Sequence, residues 1–302
     1  MMDIAIMIEG QDGLTWQRWM RLARAVEDLG FAGLYRSDHF TNAAPPDKES
    51  LELWISLTWL ASNTRRIEFG PLVSPVSFRN PVFTARIAAQ VDDLSGGRLR
   101  LGLGAGWQER EHQNFGFDLL PPRERFVRFE EGLQVITRLL KSDTPVSFEG
   151  DYYRLYDAIL LPRPQRPGGP PVVIGGNGVK LTLPLGACYA DEWNAVLIPA
   201  EKFEELNRVV DTYLQENERD PASVRRTMMT GLRFGRSADE LREQMKGRGA
   251  DELRERGIIF GEPGQVKDQL ARLEQAGVQR VMLQWLDLDG IDRLEALAKA
   301  VL

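Results

Sequence analysis

GPLVSPVSFRNPVFTARIAAQVDDLSGGRLRLGLGAGW, residues 70–107, decides the fold. Asn80 followed by Pro81 marks a helix start, because the Asn side chain accepts an orphan amide and proline has no amide to leave unpaired. Phe83, Ile87, Val91 and Leu94 recur at helical spacing, and Gly96-Gly97 offers the left-handed backbone that closes a helix. Strand patterns flank the helix. One runs out at Val73-Ser74-Pro75, and the next, Leu99 to Leu103, at Gly104-Ala105-Gly106-Trp107. Strand, helix and strand in so few residues form a βαβ unit, whose right-handed crossover makes the strands parallel. Ligands of parallel α/β sheets lie beyond the strand C-termini, so chemistry is expected at these two turns.

Outward from this unit the pattern repeats. Strands are expected at Asp3 to Ile8, Gly33 to Ser37, Ile67 to Val73, Leu99 to Leu103, Val172 to Ile174, Glu192 to Leu197, Thr227 to Phe234 and Arg280 to Trp285. Helix patterns follow them at Trp16 to Leu29, Leu51 to Ser62, Pro81 to Leu94, Phe126 to Leu140, Gly178 to Tyr189, Glu201 to Glu216, Gln265 to Gln275 and Asp292 to Leu302. Eight strands each followed by a helix predict an α/β protein, a (β/α)8 TIM barrel occupying 1–302 as a single domain. A doubly wound sheet is the alternative, but the units show no break into two halves. Surplus length falls near 107–125, 142–171 and 236–257. The first and third insertions follow strands and are expected over the C-terminal face; the second contains a hairpin-like SFEGDYYRL.

A chain of 302 residues with 43% hydrophobic and 27% charged content can bury a sizeable core. Its net charge of -6 and pI near 5.3 argue against nucleic acid or an anionic membrane as partner. Cys188 is the only cysteine, which excludes a disulfide framework and a CxxC pair, and a buried thiol is expected. The opening MMDIAIMIEG is too short in its apolar run for a signal peptide, so a cytoplasmic protein is expected. Neither HExxH nor clustered His and Cys is present, so no metal is expected.

Ser37-Asp38-His39-Phe40 follows the second strand, where a barrel presents side chains to its active site. A carboxylate beside an imidazole suits proton transfer near neutrality; a histidine bonded within its loop is the competing reading. Glu9, ending the first strand, reads as an electrostatic or proton-handling group or as an exposed loop carboxylate. His112 lies among polar neighbours in the first insertion and reads as a solvated or lid residue. Gly102, Gly104 and Gly106 make GxGxG, but Trp107 stands where a dinucleotide fingerprint needs glycine. Gly175-Gly176-Asn177-Gly178 is expected to run from the fifth strand straight into a helix, offering free amides and a positive helix end to a phosphate. Tight turns explain either cluster alone. Two on successive barrel strands make an anion site the stronger reading.

Several ordered motifs resemble the luciferase-like flavin-dependent superfamily, most closely its deazaflavin branch, which uses coenzyme F420. They are RSDHF at 36–40, VSFRNP at 76–81, LSGGRLRLGLGAGW at 94–107, EHQNFG at 111–116, PPVVIGGNG at 170–178 and ADEWN at 190–194. The resemblance implies a cofactor ring on a bulge at Leu72, Val73 and Ser74, often with a non-prolyl cis peptide. It implies a phosphate among Gly106, Trp107, Gly175 and Gly176, with Gly104, Ala105, Asn177 and Gly178 as further cofactor-binding positions. It casts Asp38 as a ring contact and His39 as the group beside the transferred hydride. The implied reaction moves a hydride between the deazaflavin C5 and a small organic substrate, in a homodimer. The rival readings are an FMN-dependent monooxygenase fed by a separate reductase and a flavin-binding protein without turnover. Arg110, Arg123, Arg125 and Lys180 could attract the anionic tail that distinguishes coenzyme F420 from FMN.

Overall fold

The computed structural model describes residues 1–302. In chain order the elements are β1 (Asp3–Ile8), α1 (Trp16–Leu29), β2 (Gly33–Arg36), α2 (Leu53–Asn63), β3 (Glu68–Pro71), β4 (Ser74–Pro75), α3 (Pro81–Ser95) and β5 (Leu101–Gly104). Then follow α4 (Glu109–Phe115), α5 (Pro122–Lys141), β6 (Val146–Glu149), β7 (Arg154–Ala158), β8 (Val172–Gly175), α6 (Thr182–Tyr189), β9 (Glu192–Val196) and α7 (Ala200–Glu216). The chain ends with β10 (Arg225–Phe234), α8 (Ala238–Met245), α9 (Ala250–Glu255), β11 (Ile259–Gly261), α10 (Pro263–Gln275), β12 (Arg280–Gln284) and α11 (Ile291–Val301).

The sheet runs β3-β2-β1-β12-β10-β9-β8-β5-β4, with every neighbouring pair parallel. A parallel bridge between Phe69 of β3 and Leu99, just before β5, closes the barrel. Strands β3 and β4 are one barrel strand broken at Leu72–Val73, whose peptide bond is cis, so the expected bulge and cis peptide are both present. All eight expected barrel strands form. The helix of the opening motif is capped as read: Asn80 accepts from the Val82 amide at 2.9 Å, and Gly96 closes it at φ 70°.

Core formation follows the strand pleat. Ala5, Met7, Tyr35, Val173, Met229 and Met282 meet inside the barrel, while a cluster of 64 buried residues fills the space between strands and helices. At the N-terminal end the interior is closed by charge. Arg280, 2% exposed, reaches Tyr35 Oη at 2.6 Å, Asp3 at 3.2 Å and Glu68, with Arg100 Nε on Glu68 at 3.0 Å. Burial raises the Tyr35 hydroxyl above its ordinary range, and the Arg280 guanidinium is raised too, because Tyr35, Glu192 and Glu68 outweigh the cost of burying it.

Some expectations change. The glycine turn after β8 does not run straight into a helix: α6 begins at Thr182, and the Gly178 carbonyl accepts from the Thr182 and Leu183 amides. Pro184 explains the delay, since a proline is tolerated only in the first turn of a helix. Cys188 is exposed rather than buried, with Sγ 3.1 Å from Asn217 Oδ1. The third insertion folds as α8 and α9 and returns as β11, which pairs with the outer end of β10. The second forms the hairpin β6–β7, its tip fastened by Glu131, which accepts the amides of Asp151, Tyr152 and Tyr153. No helix is long and apolar enough to cross a membrane.

Candidate active site

Each of the eight barrel strands contributes to one cavity of about 560 Å³, seven of them with residues at or just beyond their C-terminal ends and β10 with Met229 from its middle. The floor and walls are largely apolar. Leu72 and Val73 come from the bulge, Val196 from β9 and Leu197 from just beyond it, Met7 from β1 and Met229 from β10. Glycines at 104, 106, 175 and 176 keep two walls free of side chains. At Gly106, φ is 86° and an added Cβ would lie 2.9 Å from Ser77 Oγ, so this turn has no room for another residue.

His39 lies on the cavity wall beyond β2. Its Nδ1 is 2.8 Å from Glu111 Oε1, and the other Glu111 oxygen accepts the Phe40 amide at 3.0 Å. Glu111, 1% exposed, can only accept here, so Nδ1 carries the proton. The Gln108 amide nitrogen, 3.3 Å from the same Nδ1, is then no donor to it and serves the Thr41 carbonyl at 3.0 Å. Nε2 has no partner in the chain. Burial alone would depress the imidazole, but the Glu111 hydrogen bond and charge, with Glu9 and Asp38 behind them, hold its pKa above the ordinary histidine range. The Trp107 ring meets His39 edge-on at 5.5 Å.

Glu111 was not among the candidates read from the sequence, and it comes from α4, a helix hidden in a polar insertion. That helix is held down from both sides. His112, expected to be solvated, is 1% exposed: Nδ1 donates to the Gln108 carbonyl at 2.6 Å and Nε2 accepts from Ser77 Oγ at 2.8 Å. Phe40, Phe78, Phe115 and Phe117 cluster with one another in edge-on and tilted pairs at centroid distances of 4.8–5.6 Å, and Phe78 packs on the His112 ring at 4.9 Å.

Asp38 is buried, and both its oxygens are engaged: Oδ1 by Arg79 Nη2 at 3.2 Å, Oδ2 by Ser74 Oγ at 2.7 Å and by Arg79 Nη1. Burial raises its pKa despite Arg79, and Arg79 also reaches Glu52 at 2.6 Å. Asp38 and Ser74 thus tie β2 to the bulge. Glu9 faces the cavity and accepts from Gln284 Nε2 at 2.7 Å and Gln11 Nε2 at 3.1 Å.

The backbone amides of Ala105, Gly106 and Trp107 make no hydrogen bond within the chain, nor do those of Asn177 and Gly178. The Gly176 amide is taken by the Asn194 carbonyl at 2.9 Å. The Asn177 side chain clamps both backbone groups of Val196, at 2.7 and 2.9 Å, and so fixes its turn against β9. Arg125 lines the cavity and donates to the Gly106 carbonyl at 3.0 Å without a carboxylate partner. Arg110 is paired with Asp47, while Arg123 and Lys180 are exposed.

A barrel with this mouth, bulge and pair of glycine turns defines a family. The chain belongs to the luciferase-like monooxygenase family, whose model matches residues 4–248. It is 34% identical over 187 residues to a 4-hydroxyprotoasukamycin monooxygenase of Streptomyces nodosus subsp. asukaensis, covering 62% of this chain and 48% of that protein. It is 29% identical over 297 residues to an F420-dependent glucose-6-phosphate dehydrogenase of Intrasporangium calvum, covering 85% of each. Several curated relatives are matched over only about half of their own length. Among solved structures, an F420-dependent secondary alcohol dehydrogenase in complex with an F420-acetone adduct superimposes with a TM-score of 0.86 at 19% identity, over 100% of this chain and 99% of that one, a likeness of fold.

Proposed function

We propose that this protein is an oxidoreductase that exchanges a hydride between C5 of coenzyme F420 and a small organic substrate. The observation that carries the reading is the His39–Glu111 pair at an apolar cavity flanked by two runs of unpartnered backbone amides. Relatives named as F420-dependent dehydrogenases support it. The cavity fits a planar ring with a phosphate: its volume is ordinary for a cofactor pocket, apolar side chains from β9 and the bulge form a slot, and free amides with Arg125 await an anion.

When bound, the deazaflavin supplies a carbon that accepts or donates a hydride. The chain does the rest. Leu72, Val73 and Ser74 support the ring, Asp38 holds that bulge in place through Ser74, and the turns 104–107 and 175–178 bind the phosphate, with Asn177 fixing the second turn. His39 Nε2 takes the proton that leaves the substrate during oxidation and returns it during reduction. Glu111 positions the imidazole and stabilises its charged form. Trp107 and Phe126 at the rim keep water from the reacting atoms, and Glu9 adds negative charge that favours protonated His39.

The longer anionic tail of coenzyme F420 should meet Arg123, Arg125 and Lys180. Fluorescence titration of the cofactor-free protein should therefore show tighter binding of coenzyme F420 than of FMN, with the margin shrinking as salt screens exposed charges over about 10 Å at 0.1 M. Tighter binding of FMN at both low and high salt rejects the cofactor. FMN-dependent monooxygenation is the second reading, favoured by the 34% identity to a monooxygenase; it requires a peroxyflavin absorbance after mixing with reduced FMN in air.

We further propose a cytoplasmic homodimer. The neighbouring helices α2 and α3 expose Ile55, Phe83 and Leu94 at 61%, 64% and 53%. Covering one phenylalanine is worth about 1.5–3 kcal/mol, and symmetry counts it twice. Phe83→Asp should convert the dimer to monomer in light scattering at micromolar protein; an unchanged mass rejects this face.

A further inference from the structure

Asn194 stands in the middle of β9 with no exposed surface and lines the cavity. Its Oδ1 is a buried oxygen without any hydrogen-bond partner. It is one of five buried side-chain polar atoms without a partner, Glu192 Oε2 and Arg280 Nε among them, and of the five residues only Asn194 lines the cavity, where a donor from a ligand could satisfy it.

Its direction is enforced from below. Thr227 Oγ1 has one proton, and two groups compete for it: Glu192 Oε1 at 2.9 Å and the Trp193 carbonyl at 3.2 Å. Both are acceptors, and Arg280 Nη1 at 3.9 Å balances the charge of Glu192. Whichever takes the proton, Thr227 is left with a lone pair toward Asn194. The Asn194 amide nitrogen must therefore face Thr227, as it does at 2.9 Å, with Met282 Sδ at 3.3 Å as its second neighbour. The carbonyl has to point away from them. The glycines at 104 and 175 line the same cavity and give their side-chain space to Val73, whose Cγ atoms lie 2.6 and 3.3 Å from where their Cβ atoms would be, so a ring approaching this depth packs against Val73.

We propose that Asn194 is a specificity-determining residue that holds a carbonyl acceptor for an N–H donor of the ligand. The donor is assigned to the imide N–H of the cofactor's pyrimidinedione ring. This rests on the cofactor reading above and deepens it. Flavins and deazaflavins share that imide, so Asn194 recognises the ring class and leaves the choice between the two to the tail contacts.

The test is fluorescence titration of the cofactor-free protein with 8-hydroxy-5-deazaflavin 5′-phosphate and with its N3-methyl derivative, in which the donor is blocked. The parent protein should bind the unblocked probe at least about tenfold more tightly. Asn194→Leu should weaken the unblocked probe to the level of the methylated one, and Thr227→Val, which frees the amide to turn, should lie between. Equal binding of the two probes by the parent protein overturns the assignment of Asn194 while leaving the cofactor reading intact. Binding of neither probe overturns both. The comparison on the parent protein stands even if the variants fail to fold.

Discussion

His39→Ala lowers kcat by about 10²- to 10⁴-fold, the range a positioned general acid or base contributes, and leaves affinity for coenzyme F420 within about threefold. The geometry separates the two effects. His39 reaches the cavity from the end of β2, while the glycine turns expected to bind the phosphate belong to β5 and β8. A group that acts at the reacting atoms matters chiefly in the transition state, so its loss should appear in turnover and not in the binding isotherm. Turnover within threefold of the parent, less than about 1 kcal/mol in barrier terms, would remove His39 from the chemistry.

Glu111→Gln has the second large effect, and it is visible without a substrate. Two donors, His39 Nδ1–H and the Phe40 amide, converge on two oxygens that are buried. A glutamine offers one oxygen, which keeps the Phe40 amide, and one NH2, which Nδ1 can accept from only as the neutral Nε2–H tautomer, so the charged imidazole is left with a donor facing a donor, at about 1–3 kcal/mol of stability. Part of the loss depends on pH. The folded His39 pKa is raised, so its pairing with Glu111 contributes fully below about pH 6.5, the unfolded value, and fades as pH rises through the folded one. The gap in Tm between parent and variant should therefore be widest near pH 6 and narrow toward pH 9. A gap that stays constant or widens with pH would show that Glu111 does not hold the charged imidazole. The same change should move the His39 limb of the kcat/KM profile to lower pH.

The barrel was legible because each strand and helix announces itself locally. Asn80-Pro81 and Gly96 bracket α3, and apolar periodicity gives the remaining units their type. The candidate site was legible wherever it sits at a strand end, in that His39, Glu9 and residues of the glycine turns at 104–107 and 175–176 line one cavity. What escaped depends on contacts between distant segments. EREHQNF reads as a solvated stretch, since nothing local tells Glu111 and His112 that Phe40, Phe78 and Ser77 will close over them. The late start of α6 is different, because Pro184 was there to be read and rules out a helix begun six residues earlier.

The charged closure at the N-terminal end of the barrel also shapes the order of events at the other. With Arg280, Glu68, Asp3 and Tyr35 locked together below, and with Tyr35 and Arg280 shifted to titrate far above neutral pH, the interior is a well with one opening. If the proposed cofactor and substrate both enter by the mouth lined by Trp107, the deeper of the two is expected to arrive first and leave last, an order that product-inhibition kinetics would reveal.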